Sequence, residues 1–192
     1  MTDAMIESIL DAAYTCFTRH GVRRTTMDDI AREAGMSRAA VYLHVRNKQD
    51  AFRRLAERLL ERAMTEARLG AESGEGLAAR LTAALEAKLG LALRLWRDSP
   101  AHAAELLGED ARLSADLIES YDAAMRDLLA ATVRTGAPDA DATEFAELLL
   151  ALTRGLEADL SDPEAPTRRL RHAVALLVAG LTRQPPLTPE QP

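Results

Sequence analysis

The chain has 192 residues, with 30 Asp and Glu against 24 Lys and Arg, a net charge of −6, and 47% hydrophobic residues of which few are aromatic. One cysteine, Cys16, cannot close an intramolecular disulfide, and no apolar stretch is long enough to span a bilayer, so a disulfide scaffold and a membrane protein are both excluded in favour of a cytoplasmic location. Alanine, leucine, glutamate and arginine dominate, and no segment alternates β-branched residues with a period of two, so an all-α fold is expected.

The first helix is expected from about Asp3 to Arg19, where Met5, Ile6, Ile9, Leu10, Ala13, Cys16 and Phe17 form one apolar stripe. Gly21 ends it, and Val22 can pack back on the last turn. Thr26, followed three residues later by Asp29, is an N-terminal capping signature, because each side chain can accept from an orphaned amide. Met27, Ile30, Ala31 and Ala34 keep helical spacing until Gly35 supplies a left-handed stop. Met36 then turns the corner, and Ser37 can cap a further helix that opens with Arg38, Ala39 and Ala40. Two short helices joined in this way are a helix-turn-helix, whose second helix offers its first turn to base edges in a major groove.

Asn47 can cap a fourth helix that holds Phe52, Leu55, Ala56, Leu59, Leu60 and Ala63 inward, with Gly70 as its stop and the run from 71 to 76 as a hinge. A helix from about Leu77 to Arg97 is apolar nearly all round between Leu89 and Trp96. Ser99 and Pro100 start a short helix to about Leu107, and another spans about Asp110 to Thr135, ended by Gly136 and Pro138. Asp141 and Glu144 cap a helix that carries Phe145, Leu148, Leu149, Leu152 and Leu156. The last begins between Asp162 and Thr167 and carries Leu170, Val174, Leu177 and Leu181. These residues of the last two helices are expected to form a dimer seam, two helices from each chain making a four-helix bundle. The expected division is a head at 1–47, a connecting helix at 48–70, a helical ligand-binding and dimerisation body at 71–184, and a disordered tail at 185–192.

Charge is uneven along this plan. Residues 19 to 54 hold nine Lys and Arg against four Asp and Glu, whereas residues 69 to 192 hold twelve against twenty. The head is therefore the end that attracts a polyanion.

The stretch from Thr25 to Lys48, with its capped helix, Ile30-Ala31, Gly35-Met36-Ser37, Tyr42 and Lys48, resembles the DNA-binding domain of the TetR family of bacterial transcriptional repressors, over residues 4 to 68. The resemblance implies a homodimer on a double-stranded operator, with contacts from Thr26, Met27, Ser37, Arg38, Ala39, Ala40, Tyr42, Leu43, His44 and Lys48. Arg38 would meet a guanine edge or a phosphate, and Tyr42 and Lys48 a phosphate; His44 is either a phosphate donor or a residue packed on the next helix. Ala39 and Ala40 stand where the family has glycine and a hydroxyl residue, and Val45 replaces a phenylalanine, so base readout rests on few side chains.

In the body, Trp96, His102, Tyr121, Met125 and Phe145 are candidates to line a pocket for a small apolar or amphipathic effector, although each taken singly is more at home in a core. His102 and Glu105 have metal-ligand spacing but nothing completes the set, so no metal and no cofactor are expected. Three functions compete: a ligand-responsive repressor, the same fold without a ligand, and an all-helical enzyme with a basic head. The last lacks a convergent nucleophile, base and charge stabiliser.

Overall fold

The computed structural model describes residues 2–102 and 115–181, and among them there are eight helices and no strand. They are α1 (Thr2–His20), α2 (Met27–Glu33), α3 (Arg38–Tyr42), α4 (Lys48–Ser73), α5 (Leu77–Asp98), α6 (Ala115–Gly136), α7 (Ala142–Glu157) and α8 (Ala165–Leu181). Most ends follow from local chemistry. Gly21, at φ 78°, takes the left-handed conformation that closes α1. Asn47 accepts from the Asp50 amide at 2.8 Å to start α4, and Asp141 accepts from the amides of Thr143 and Glu144 at 3.1 and 3.0 Å to start α7. The short helix expected after Pro100 lies outside the described residues beyond a turn ending at His102, as do Leu113 and the tail from 185.

The chain forms two compact units that are not consecutive stretches. The first gathers the described parts of 1–61 and 94–119, and the second those of 62–93 and 120–181, so α4, α5 and α6 each give residues to both. In the first unit Ile9, Leu10, Ala13, Cys16 and Phe17 bury the stripe of α1 against Phe52 and Leu55 of α4, with the Phe17 and Phe52 rings edge to face at 5.8 Å. Around that core, Arg58 of α4 binds Glu7 and Asp11 of α1 at 2.8 and 2.9 Å, and Arg53 forks onto Asp116 at 2.7 and 2.5 Å. The end of α5 docks on α1 through Tyr14 Oη donating to Asp98 at 2.5 Å and Ser99 Oγ donating to the Thr18 carbonyl at 2.7 Å.

In the second unit, the core is built from Leu81, Leu85 and Leu89 of α5, Met125 and Leu129 of α6, Leu149 and Leu150 of α7, and Leu170 and Val174 of α8. One sequence expectation is corrected here. Gly70 does not stop α4, which continues to Ser73. A Cβ on Gly70 would lie 2.9 Å from both the backbone carbon and the Cβ of Ala83, and one on Gly74 would lie 2.7 Å from the Arg80 nitrogen. These glycines let α4 and α5 approach closely, and the run from 71 to 76 is half helix and only half bend.

The expected seam residues also divide. Phe145, Leu149, Leu170 and Val174 are buried within the protomer and so are spent on its own core. Leu152, Leu156, Leu177 and Leu181 are half-buried, and Leu148 is 48% exposed. Leu176, absent from the sequence reading, is 61% exposed on α8.

Candidate nucleic-acid interface

The interface is built on α2, its turn and α3. Thr26 has the extended backbone of a capping residue, accepts from the Asp29 amide at 3.2 Å, and donates its own amide to Asp29 Oδ2 at 3.0 Å. The Thr26 hydroxyl, which donates to Asp29 Oδ2 at 2.6 Å, and the Thr26 amide, with Arg32 alongside, hold the Asp29 carboxyl below the usual range. Gly35 then enters the left-handed region at φ 65°, and the Met36 amide reaches back to the Ala31 carbonyl at 2.9 Å. Nothing stands within 4 Å of where a Gly35 Cβ would be, so the backbone conformation and not crowding requires glycine. Ser37 caps α3 by accepting from the Ala40 amide at 3.2 Å, and buried Val41 anchors that helix to the head.

What remains outward on α3 is a compact surface. Arg38, Ala39, Tyr42 and Leu43 are all exposed, Tyr42 by 41% and Leu43 by 83%. The Arg38 guanidinium lies 5.5 Å over the Tyr42 ring, one turn away, and pairs with Asp28 of α2 at 3.2 Å. An exposed ion pair of this kind contributes little to stability, so Arg38 can leave Asp28 for a phosphate or a base edge at small cost. Arg24 and Arg46 are also exposed in the head. A leucine so exposed at the end of a short helix supplies an apolar contact of the kind a thymine methyl accepts.

The other expected contacts are placed less uniformly. Ala40 and His44 are half-buried, and Thr26 and Ser37 are exposed with their oxygens engaged in capping. Lys48 is half-buried, and its ammonium donates to the Arg23 carbonyl at 3.0 Å, which offsets its poor position at a helix N-terminus without a phosphate. Met27 is buried in the head, on the α2 stripe it shares with Ile30 and Ala31. The Asp28–Arg38 pair escaped the sequence reading, since ten residues and a turn separate the partners.

The five candidate effector residues are shared between the two units. Trp96 and His102 belong to the first unit, where His102 lines an open polar cleft of about 290 Å³ with Arg19, His20, Arg24 and Asp29. Tyr121, Met125 and Phe145 are buried in the second. Glu105 lies outside the described residues, and among the described residues no three His, Cys, Asp or Glu side chains are grouped to hold a metal. Cys16 is buried in the head, and burial pushes its thiol up. No described helix is long and apolar enough to cross a membrane.

The head matches the family model described as bacterial regulatory proteins, tetR family, over residues 9–55, a span that covers α2, the turn and α3. Over these residues the chain resembles the TetR family. Among TetR-family relatives, the uncharacterised regulator YfiR of Bacillus subtilis is 43% identical over 56 residues, or 29% of this chain and 27% of YfiR. The regulator TtgR of Pseudomonas putida is 43% identical over 53 residues, or 28% of this chain and 25% of TtgR. The match therefore spans only about a quarter of these relatives' length. Solved structures extend the likeness to the whole fold. The SmeT–triclosan complex aligns over 98% of both chains at 25% identity and TM-score 0.69. A regulator from Cytophaga hutchinsonii aligns over 91% of this chain and 96% of its own, at 20% identity and TM-score 0.76.

Proposed function

We propose that the protein is a homodimeric transcriptional regulator that binds a palindromic operator as a repressor, acts in the cytoplasm, and is released when a small apolar or amphipathic molecule enters the helical body. The observation that carries the DNA-binding half is the surface of α3. A helix of five residues, fixed by Ser37 and Val41, turns Arg38, Ala39, Tyr42 and Leu43 outward together. Such a surface has no task inside the fold, and cation, phenol and aliphatic group are what phosphate and base edges accept. One short helix reads few base pairs, so useful specificity needs a second head placed by a two-fold axis. The exposed Leu148 of α7 and Leu176 of α8 suit that axis. For the effector, the support is that SmeT, alike over nearly the whole chain, is solved with triclosan.

The test is binding to labelled duplexes at several salt concentrations. Wild type should bind with a steep inverse salt dependence, and triclosan should raise the DNA concentration needed for half-saturation. Binding that ignores salt would refute the electrostatic footprint, since each neutralised phosphate adds about 0.9 to the slope.

A further inference from the structure

Tyr121 of α6 is only 7% exposed, and its hydroxyl is the one buried side-chain oxygen or nitrogen without a hydrogen-bond partner among the described residues. Buried hydroxyls are paired almost without exception, and an orphan marks a place where something else completes the bond. The residues that continue its stripe, Met125 and Leu129, are fully buried and apolar.

The charges that act on the hydroxyl come from three carboxylates, Glu157 of α7, Asp122 beside it on α6 and Glu66 of α4. Glu157 is paired with Lys88 of α5 at 3.0 Å and Glu66 with Arg62 at 3.0 Å. We propose that the Tyr121 hydroxyl is the donor that orients the effector, and that the effector is an uncharged apolar molecule carrying an acceptor oxygen. This rests on the effector reading above. Burial, with the carboxylates adding to it, raises the phenol above its ordinary value, so it stays a donor at neutral pH. A donor asks for an acceptor, and the three carboxylates that act on the hydroxyl repel a carboxylate ligand.

Three naphthalenes of one shape separate the parts of this proposal on the full chain: 2-acetylnaphthalene has the acceptor, 2-isopropylnaphthalene lacks it, and 2-naphthoate is an anion. Calorimetric titration of wild type should show the acetyl compound bound about tenfold tighter than the isopropyl one, the worth of one net hydrogen bond, with naphthoate weakest. Tyr121→Phe should bring the first two together by weakening only the acetyl compound. The same variant without ligand should unfold about 2 to 4 °C higher, because it removes an unpaired buried group. Lower stability of the unliganded variant would overturn the proposal by showing that the hydroxyl already has a partner. Equal affinity of wild type for the acetyl and isopropyl compounds would overturn the role of Tyr121, and tight naphthoate binding would overturn the charge preference. Failure of all three to bind wild type would instead overturn the effector reading on which this stands.

Discussion

Replacing Gly70 by alanine sets two opposing effects against each other at one atom. Alanine favours a helix interior over glycine by about 1 kcal/mol, so on propensity alone the change stabilises α4. Its Cβ, however, would sit 2.9 Å from the carbon and Cβ of Ala83 and 3.1 Å from the Ala83 oxygen, two of them backbone atoms that no rotamer change can move. α4 and α5 would have to separate by a few tenths of an ångström along their contact, and such overpacking costs about 1 to 3 kcal/mol. Overpacking wins, for a net loss of about 1 kcal/mol. Gly90, in the middle of α5, has nothing within 4 Å of its own added Cβ and serves as the internal control. Gly90→Ala should gain about 1 kcal/mol, so the two variants should differ by about 2 kcal/mol, or about 4 to 8 °C in unfolding midpoint for a chain of this size. Thermal and urea unfolding followed by circular dichroism measure this directly. If Gly70→Ala proves as stable as Gly90→Ala, the two helices are not as close as described and Gly70 serves some other purpose.

Arg38→Ala should weaken binding to the preferred duplex by about tenfold to a hundredfold per half-site while leaving random DNA less affected, because a base-reading arginine discriminates where a phosphate contact does not; equal losses on both would assign it to phosphate. Asp28→Asn should tighten DNA binding, since it frees Arg38 and removes a negative charge facing the backbone, and weaker binding measured by anisotropy would contradict that. Leu176→Glu should yield a folded monomer in sedimentation, because the residue is exposed on α8 and carries no protomer core, and an intact dimer would place the seam elsewhere. The Asp116 carboxyl is lowered from 3.8 to about 2, first by the hydrogen bonds from Arg53, so the stability it lends is present above its unfolded value and lost as pH falls through its folded one. The gap in unfolding midpoint between wild type and Asp116→Asn should therefore be constant above about pH 4 and close toward pH 2; a gap independent of pH would show that the Arg53 fork contributes nothing.

Where the sequence was legible, the cause was local. Thr26, Ser37, Asn47 and Asp141 cap helices with their own side chains, and Gly21 and Gly35 stop helices through their own backbone, so a few neighbouring residues contain the whole argument. Gly70 misled because a glycine that ends a helix and one that admits another helix are the same letter; only Ala83, thirteen residues on, tells them apart. Leu148 and Leu149 are a similar case. Both fit one broad stripe, yet a turn of 100° between neighbours sends Leu149 into the protomer core and Leu148 to the surface. Met27 was named a contact on the resemblance alone, while its spacing with Ile30 and Ala31 already put it on the stripe that is buried.

The central claim is that two copies of the α3 surface read one duplex about a two-fold axis. Sequencing of duplexes that the full-length protein retains from a random library tests it most directly. The account predicts an enriched inverted repeat whose half-sites lie about one turn of DNA, or about 10 base pairs, apart from centre to centre, and which Arg38→Ala enriches poorly. Retained DNA with no common sequence, or with a single unrepeated site, would contradict it.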